Sequence, residues 1–162
     1  MQNQTTSYNI NWKKLVVAIP VVAVVHMSLL YGLFMNPVSQ DVIFSESMGR
    51  SAKLIAVWKT LEPGPSELSL TPALIITPMI FSFLFAVLYP SIPGNGITRK
   101  GFSYGIMWWG TAAVFFELFT PLGLFGEPLH LLAYELFLWF VGLVVTSIVL
   151  SLIYIPRKIP NE

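Results

Sequence analysis

Four apolar stretches set the rhythm of the chain, at residues 15–34, 69–89, 102–120 and 129–155, with polar residues gathered between them. Each is long enough, as a helix, to cross about 30 Å of hydrocarbon, which takes about 20 residues. The last exceeds that need, which predicts a tilted helix or one that projects beyond the bilayer. Residues 36–68 are too many for a simple connector. Within them SMGRSAKLIAVWKTL, residues 47–61, repeats Leu54, Val57, Trp58 and Leu61 at helical spacing, with Lys53 and Thr60 opposite. That pattern predicts an amphipathic helix at the outer interface, ended by Pro63-Gly64-Pro65. It has two uses, packing over the outer ends of the bundle or docking a partner through Leu54, Val57, Trp58 and Leu61. The expected fold is an all-α membrane protein: one domain over 1–162, four transmembrane helices in a bundle, and the external interfacial helix between the first and second.

Punctuation agrees with this layout. Pro72 suits the first turn of the second span, with Ser69 or Thr71 as its cap. SIPGNGITRKG supplies a tight turn between the second and third spans. Pro20 and Pro78 fall inside spans, where each frees a carbonyl (Val16, Leu74) and predicts a kink. Lys13 and Lys14 ahead of the first apolar run suggest a secretory signal. His26, Met27 and Tyr31 stand where small cleavage-site residues belong, so a retained span is expected.

Composition changes the picture only by naming the solvent. Hydrophobic residues make up 55% and charged residues 10%, against about 25% charged in soluble domains. The mean hydropathy is +0.71. A formal charge of +1 without a basic cluster excludes a nucleic-acid footprint. The absence of cysteine removes disulfides, thiolate metal sites and cysteine nucleophiles. Lys13, Lys14, Arg99, Lys100, Arg157 and Lys158 all fall on one side of a four-span topology. The loop at residues 121–128 carries only Glu127, expected in water. The positive-inside rule then puts both termini in the cytoplasm of a bacterial or archaeal plasma membrane. Arg50, Lys53 and Lys59 lie on the external side, outnumbered there by Asp41, Glu46, Glu62 and Glu67.

The chemistry is concentrated in FFELFTPLGLFGEPLHLLAYELFLWF, from Phe115 to Phe140. Measured from the outer ends of the spans, Glu117 lies roughly 5 Å deep, Glu135 about 9 Å and His26 about 12 Å, with His130 at the boundary. Glu117 shares a stripe with Ser103, Gly110 and Ala113, and Glu135 shares one with Gly142 and Thr146, Trp139 lying between them. Small residues mark helix contacts, so both carboxylates should face inward. An unpaired charge at mid-membrane costs roughly 2.5 to 3.5 kcal/mol, which calls for partners. Matching depths predicts Glu117–His130 and Glu135–His26 contacts, or one cluster that also takes Tyr134, Thr77 and the carbonyl freed at Pro78. Such a cluster has three uses: fastening helices, holding a divalent metal or haem through His26, Glu117, His130 and Glu135, or passing protons. The two histidines differ in depth by about 10 Å, which leaves haem a single imidazole ligand. The inner half of the membrane offers a relay no charged continuation. No nucleotide, zinc-protease or Ser-His-Asp pattern occurs.

The segment LYPSIPGNGITRKGFSYGIMWW, together with the final span ending in IYIPRK, resembles uncharacterised small four-helix membrane proteins of bacteria. The resemblance implies topology and carries no active site with it. The expected function is non-enzymatic: an accessory or scaffolding subunit of a larger membrane complex, including an energy-transducing one. The alternative is a redox, metal or haem-binding subunit using the outer Glu/His cluster. The third reading is an ion- or proton-coupled carrier working as an oligomer. Expected partners are the lipid bilayer and other membrane subunits or further copies of the chain.

Overall fold

A computed structural model describes the backbone of residues 8–59 and 67–158, and their side chains other than those of 58, 67–74 and 158. Apart from one pair of two-residue strands its regular structure is helical. α1 spans Trp12–Phe34, α2 Pro37–Ile43, α3 Ala52–Lys59 and α4 Glu67–Leu88. α5, Ile97–Trp108, continues through a π-helical stretch, Trp109–Ala113, into α6, Val114–Glu117, and a second π-helical stretch, Leu118–Leu124. α7 spans Leu129–Ile153. α1 and α7 are each long and apolar enough to cross a membrane, and Ile75–Leu88 within α4 is a shorter apolar helix.

α7 lies between α1 and α5, while α4 packs on α1. Sequence explains the tightest seam. A Cβ on Gly105 would stand 2.7 Å from the Val144 Cα, and one on Gly101 2.8 Å from the Ile148 Cα. Only glycine lets the two backbones approach this closely. Beside that seam an aromatic core forms from Phe81, Phe85, Tyr89, Tyr104 and Tyr154, the rings meeting largely edge to face. The Tyr104 hydroxyl donates to the Phe81 carbonyl at 2.7 Å, which satisfies the polar tip of a fully buried ring.

One end of the bundle gathers both chain flanks. β1 (Tyr8–Asn9) pairs antiparallel with β2 (Arg157–Lys158). Asn11 caps α1 through its Oδ1, which accepts from Lys14 N, and its Nδ2 donates to the Ile155 carbonyl at 3.2 Å. The loop between α4 and α5 closes at the same end. There Lys100 Nζ donates to the carbonyls of Tyr89 and Ile92, 2.7 Å each, and Tyr89 meets Tyr8 and Tyr154 ring to ring.

At the opposite end the helices are staggered. Phe34, the last residue of α1, packs on Trp139 at 4.9 Å between ring centres, and Leu30 and Leu33 face Gly142. Trp139 stands ten residues into α7, so α7 rises about 15 Å past the end of α1. α2 and α3 cover this step. Asn36 makes the corner: its Nδ2 donates to the Gly32 and Leu33 carbonyls, closing α1, and its Oδ1 accepts from Ser39 N, opening α2 ahead of Pro37. Ser39 Oγ then bonds the Tyr134 hydroxyl on α7 at 2.9 Å.

Several expectations are corrected here. The amphipathic segment expected at 47–61 is a 3-10 turn, Glu46–Met48, then Gly49, then α3 over Ala52–Lys59. The breaker at 63–65 lies outside the described residues. Helix continues through Pro121, where the sequence predicts a loop, because the wider π turn accommodates the missing N–H. The π stretch over Trp109–Ala113 also turns Gly110 out to the surface with open space around it, while Ala113 and Glu117 stay buried. On α7 the stripe of Glu135, Gly142 and Thr146 is buried as expected.

Candidate functional site

The step between α1 and α7 encloses a charged cluster that begins with a glycine. Gly49 adopts φ +85°, a left-handed conformation that ordinary side chains resist. It turns Arg50 into the bundle, where the residue is only 4% exposed. Arg50 Nε donates to the Ile43 carbonyl, Nη2 donates to Glu135 Oε1, and Nη1 faces Glu127 Oε2 at 3.3 Å. The other Glu127 oxygen accepts from Ser51 N at 3.3 Å. One guanidinium therefore ties the segment ahead of α3 to the head of α7 and to the turn before it.

Glu117 completes the cluster from α6, the single α-helical turn between the two π stretches. It is 2% exposed. Trp139 Nε1 donates to its Oε1 at 2.7 Å, whereas its Oε2 is buried without a hydrogen-bond partner. The carboxyl lies in interaction range of Glu135 and Arg50. Arg50 is thus committed to Glu127 and Glu135, and the Glu117 carboxyl stands beside them without a cation in contact.

The histidines lie elsewhere. His26 Nδ1 meets Thr146 Oγ1 at 3.3 Å. That hydroxyl donates to the Gly142 carbonyl at 2.7 Å, so it accepts from His26 and the Nδ1 carries the proton. Thr146 is eleven residues deeper than Glu135, about 16 Å along α7. His130 is exposed, and its Nε2 donates to the Met48 carbonyl at 2.9 Å. Of the expected Glu–His contacts, neither forms. Depth matching failed because the helices do not begin at one level.

Of the sequence candidates, then, Glu117 and Glu135 come together, while His26 and His130 lie apart from them, on Thr146 and Met48 respectively. Glu135 is already paired with Arg50. Among the described residues no group of three or more His, Asp or Glu side chains is placed to hold a metal ion. The four residues are therefore not gathered into one shared metal site. Tyr134 is engaged by Ser39, and Glu127 is buried beside Arg50 rather than in water. In α3, Leu54 is turned inward and Val57 is 38% exposed. The Trp58 side chain and Leu61 lie outside the described residues. Of the two uses foreseen for this helix, the geometry of Leu54 is that of packing over the bundle.

Arg50 is the residue that sequence reasoning missed. Charge counting holds the signal: acids in an apolar context need a cation, and residues 36–68 supply Arg50, Lys53 and Lys59. The residue that follows a turn glycine and precedes the amphipathic run is the one that points inward.

Two apolar cavities lie between the helices, and the larger reaches the cluster at Glu117 and Glu135. One of about 400 Å³ is lined by His26, Pro78, Phe81 and Trp108, and one of about 480 Å³ by Tyr31, Phe34, Gln40, Phe44, Val57 and Glu117. Met27, Leu30, Phe116 and Trp139 line both. Comparison with protein-family models, with curated proteins and with solved structures found no match to the chain.

Proposed function

We propose that this chain is a four-span membrane protein, both termini cytoplasmic, that serves as a non-enzymatic accessory subunit of a larger membrane assembly. The topology is supported by the end of the bundle where both flanks and the α4–α5 loop meet. That end brings Lys13, Lys14, Arg99, Lys100 and Arg157 to one side, as the positive-inside rule requires of cytoplasmic residues. The observation that carries the role is the Arg50 clamp. A buried ion pair that joins an external segment to two points of the bundle fixes that segment in one geometry, the requirement of a docking platform. A carrier needs the same end to open.

α3 presents Ala52, Lys53 and Lys59 outward on this fixed base. The test is purification from native membranes in a mild detergent, followed by native electrophoresis. A single stoichiometric species larger than the monomer is expected, and it should be lost in the Ala52→Asp/Lys53→Glu variant. A lone monomer, or an assembly indifferent to that variant, would sink the proposal.

A further inference from the structure

The larger cavity combines three features that together describe a ligand. Its volume, about 480 Å³, lies within the range of small-molecule sites. Its wall is almost wholly apolar, with Tyr31, Phe34, Phe44, Phe116 and Trp139 contributing aromatic surface. Glu117 lines that wall, and its Oε2 is buried with no donor. A buried acceptor without a donor costs roughly 1 to 3 kcal/mol, more when charged. A ligand that brings the missing donor recovers that cost.

Charge decides the chemical class. Arg50 is committed to Glu127 and Glu135, so the Glu117 carboxyl is held without a cation in contact. A neutral donor such as a hydroxyl would satisfy the hydrogen bond but bring no countercharge. An acid or a phosphate-bearing headgroup would be repelled. A protonated amine satisfies both requirements, and aromatic faces around the head add cation–π attraction.

Access fixes the rest of the molecule. Tyr31 and Met35, both strongly exposed, stand at the rim of the cavity on the α1 side, the surface that faces lipid in the proposed topology. An apolar body is needed to arrive by that route and to fill the wall. We propose that this cavity binds an amphiphilic amine that carries no phosphate, its protonated head on Glu117 Oε2 and its hydrocarbon body along Phe34, Phe116 and Trp139. The site is independent of the subunit role, so the outcome of either experiment leaves the other standing.

The test is calorimetric titration of the purified protein in lipid nanodiscs, referenced to empty discs, with dodecylamine, dodecanol and dodecanoate as probes. Dodecylamine should bind at least about tenfold more tightly than dodecanol, equivalent to about 1.4 kcal/mol. Dodecanoate should not bind. Glu117→Gln, which keeps an oxygen for the Trp139 indole, should abolish the preference for amine over alcohol. Val57→Trp adds bulk to the cavity wall without altering a charge and should weaken dodecylamine binding about tenfold or more. The proposal is overturned if alcohol or acid binds as well as amine in the wild-type protein, or if folded Glu117→Gln keeps the amine preference. The wild-type comparison decides the matter even where the Gln variant fails to fold.

Discussion

Replacing Arg50 with methionine removes the guanidinium of the buried cluster while roughly conserving side-chain length. Three groups lose their partner at once: the Glu135 carboxylate, the Glu127 carboxylate and the Ile43 carbonyl. Both sides of the Arg50–Glu127 pair are 1% exposed, so neither solvent nor salt screens the loss. Removing one member of a buried pair costs about 3 to 5 kcal/mol. The assay is reversible unfolding in mixed micelles of dodecyl maltoside and SDS, followed by far-UV circular dichroism. Arg50→Met alone should show the full loss. The triple variant Arg50→Met/Glu127→Gln/Glu135→Gln should recover most of it, because neutral side chains of similar shape no longer need a counterion. Arg50→Lys should fall between them, since a single ammonium cannot reproduce the guanidinium's fork. The reasoning is refuted if Arg50→Met unfolds within about 0.5 kcal/mol of wild type, the range of an ordinary surface change. A triple variant less stable than the single one would refute it equally.

Two further outcomes are expected. Gly105→Ala should destabilise by about 1 to 3 kcal/mol, as overpacking does, because its Cβ would meet Val144 backbone; Gly110→Ala, with open space around it, should be neutral or slightly stabilising in the same unfolding assay. Because the chain has no cysteine, introduced ones report topology cleanly. Cysteine at Lys53 should react with a membrane-impermeant maleimide in intact cells, and cysteine at Lys14 or Arg157 only after lysis; labelling of Lys14→Cys from outside would contradict the proposed orientation.

Much of the helical plan can be read from hydropathy, because a span of about 20 apolar residues is a strong periodic signal. The ends of α1 and α7 fall within three residues of the expected limits. The inward stripe of α7 is equally legible, since Gly142 and Thr146 repeat on the face of Glu135. The stripe of α6 is not, because a π turn inserts a residue into the helical count and rotates Gly110 away. Hydropathy has no signature for that. Depth failed for a related reason: counting from helix ends assumes a common surface, and the stagger of α7 against α1 breaks it. Arg50 was hidden by its context, a single charge in a polar loop whose inward direction depends on the φ of Gly49.

The strand pair at the basic end joins segments far apart in sequence. Asn11 and Tyr154, which meet there, are separated by 143 residues. Closing so long a loop costs conformational entropy that the packing of the helices between must offset, so the clasp closes on a bundle already assembled. It is a report on completed packing: where a helix between is misplaced, Tyr8 and Lys158 fail to meet, and two loose ends stand in place of one closed seam.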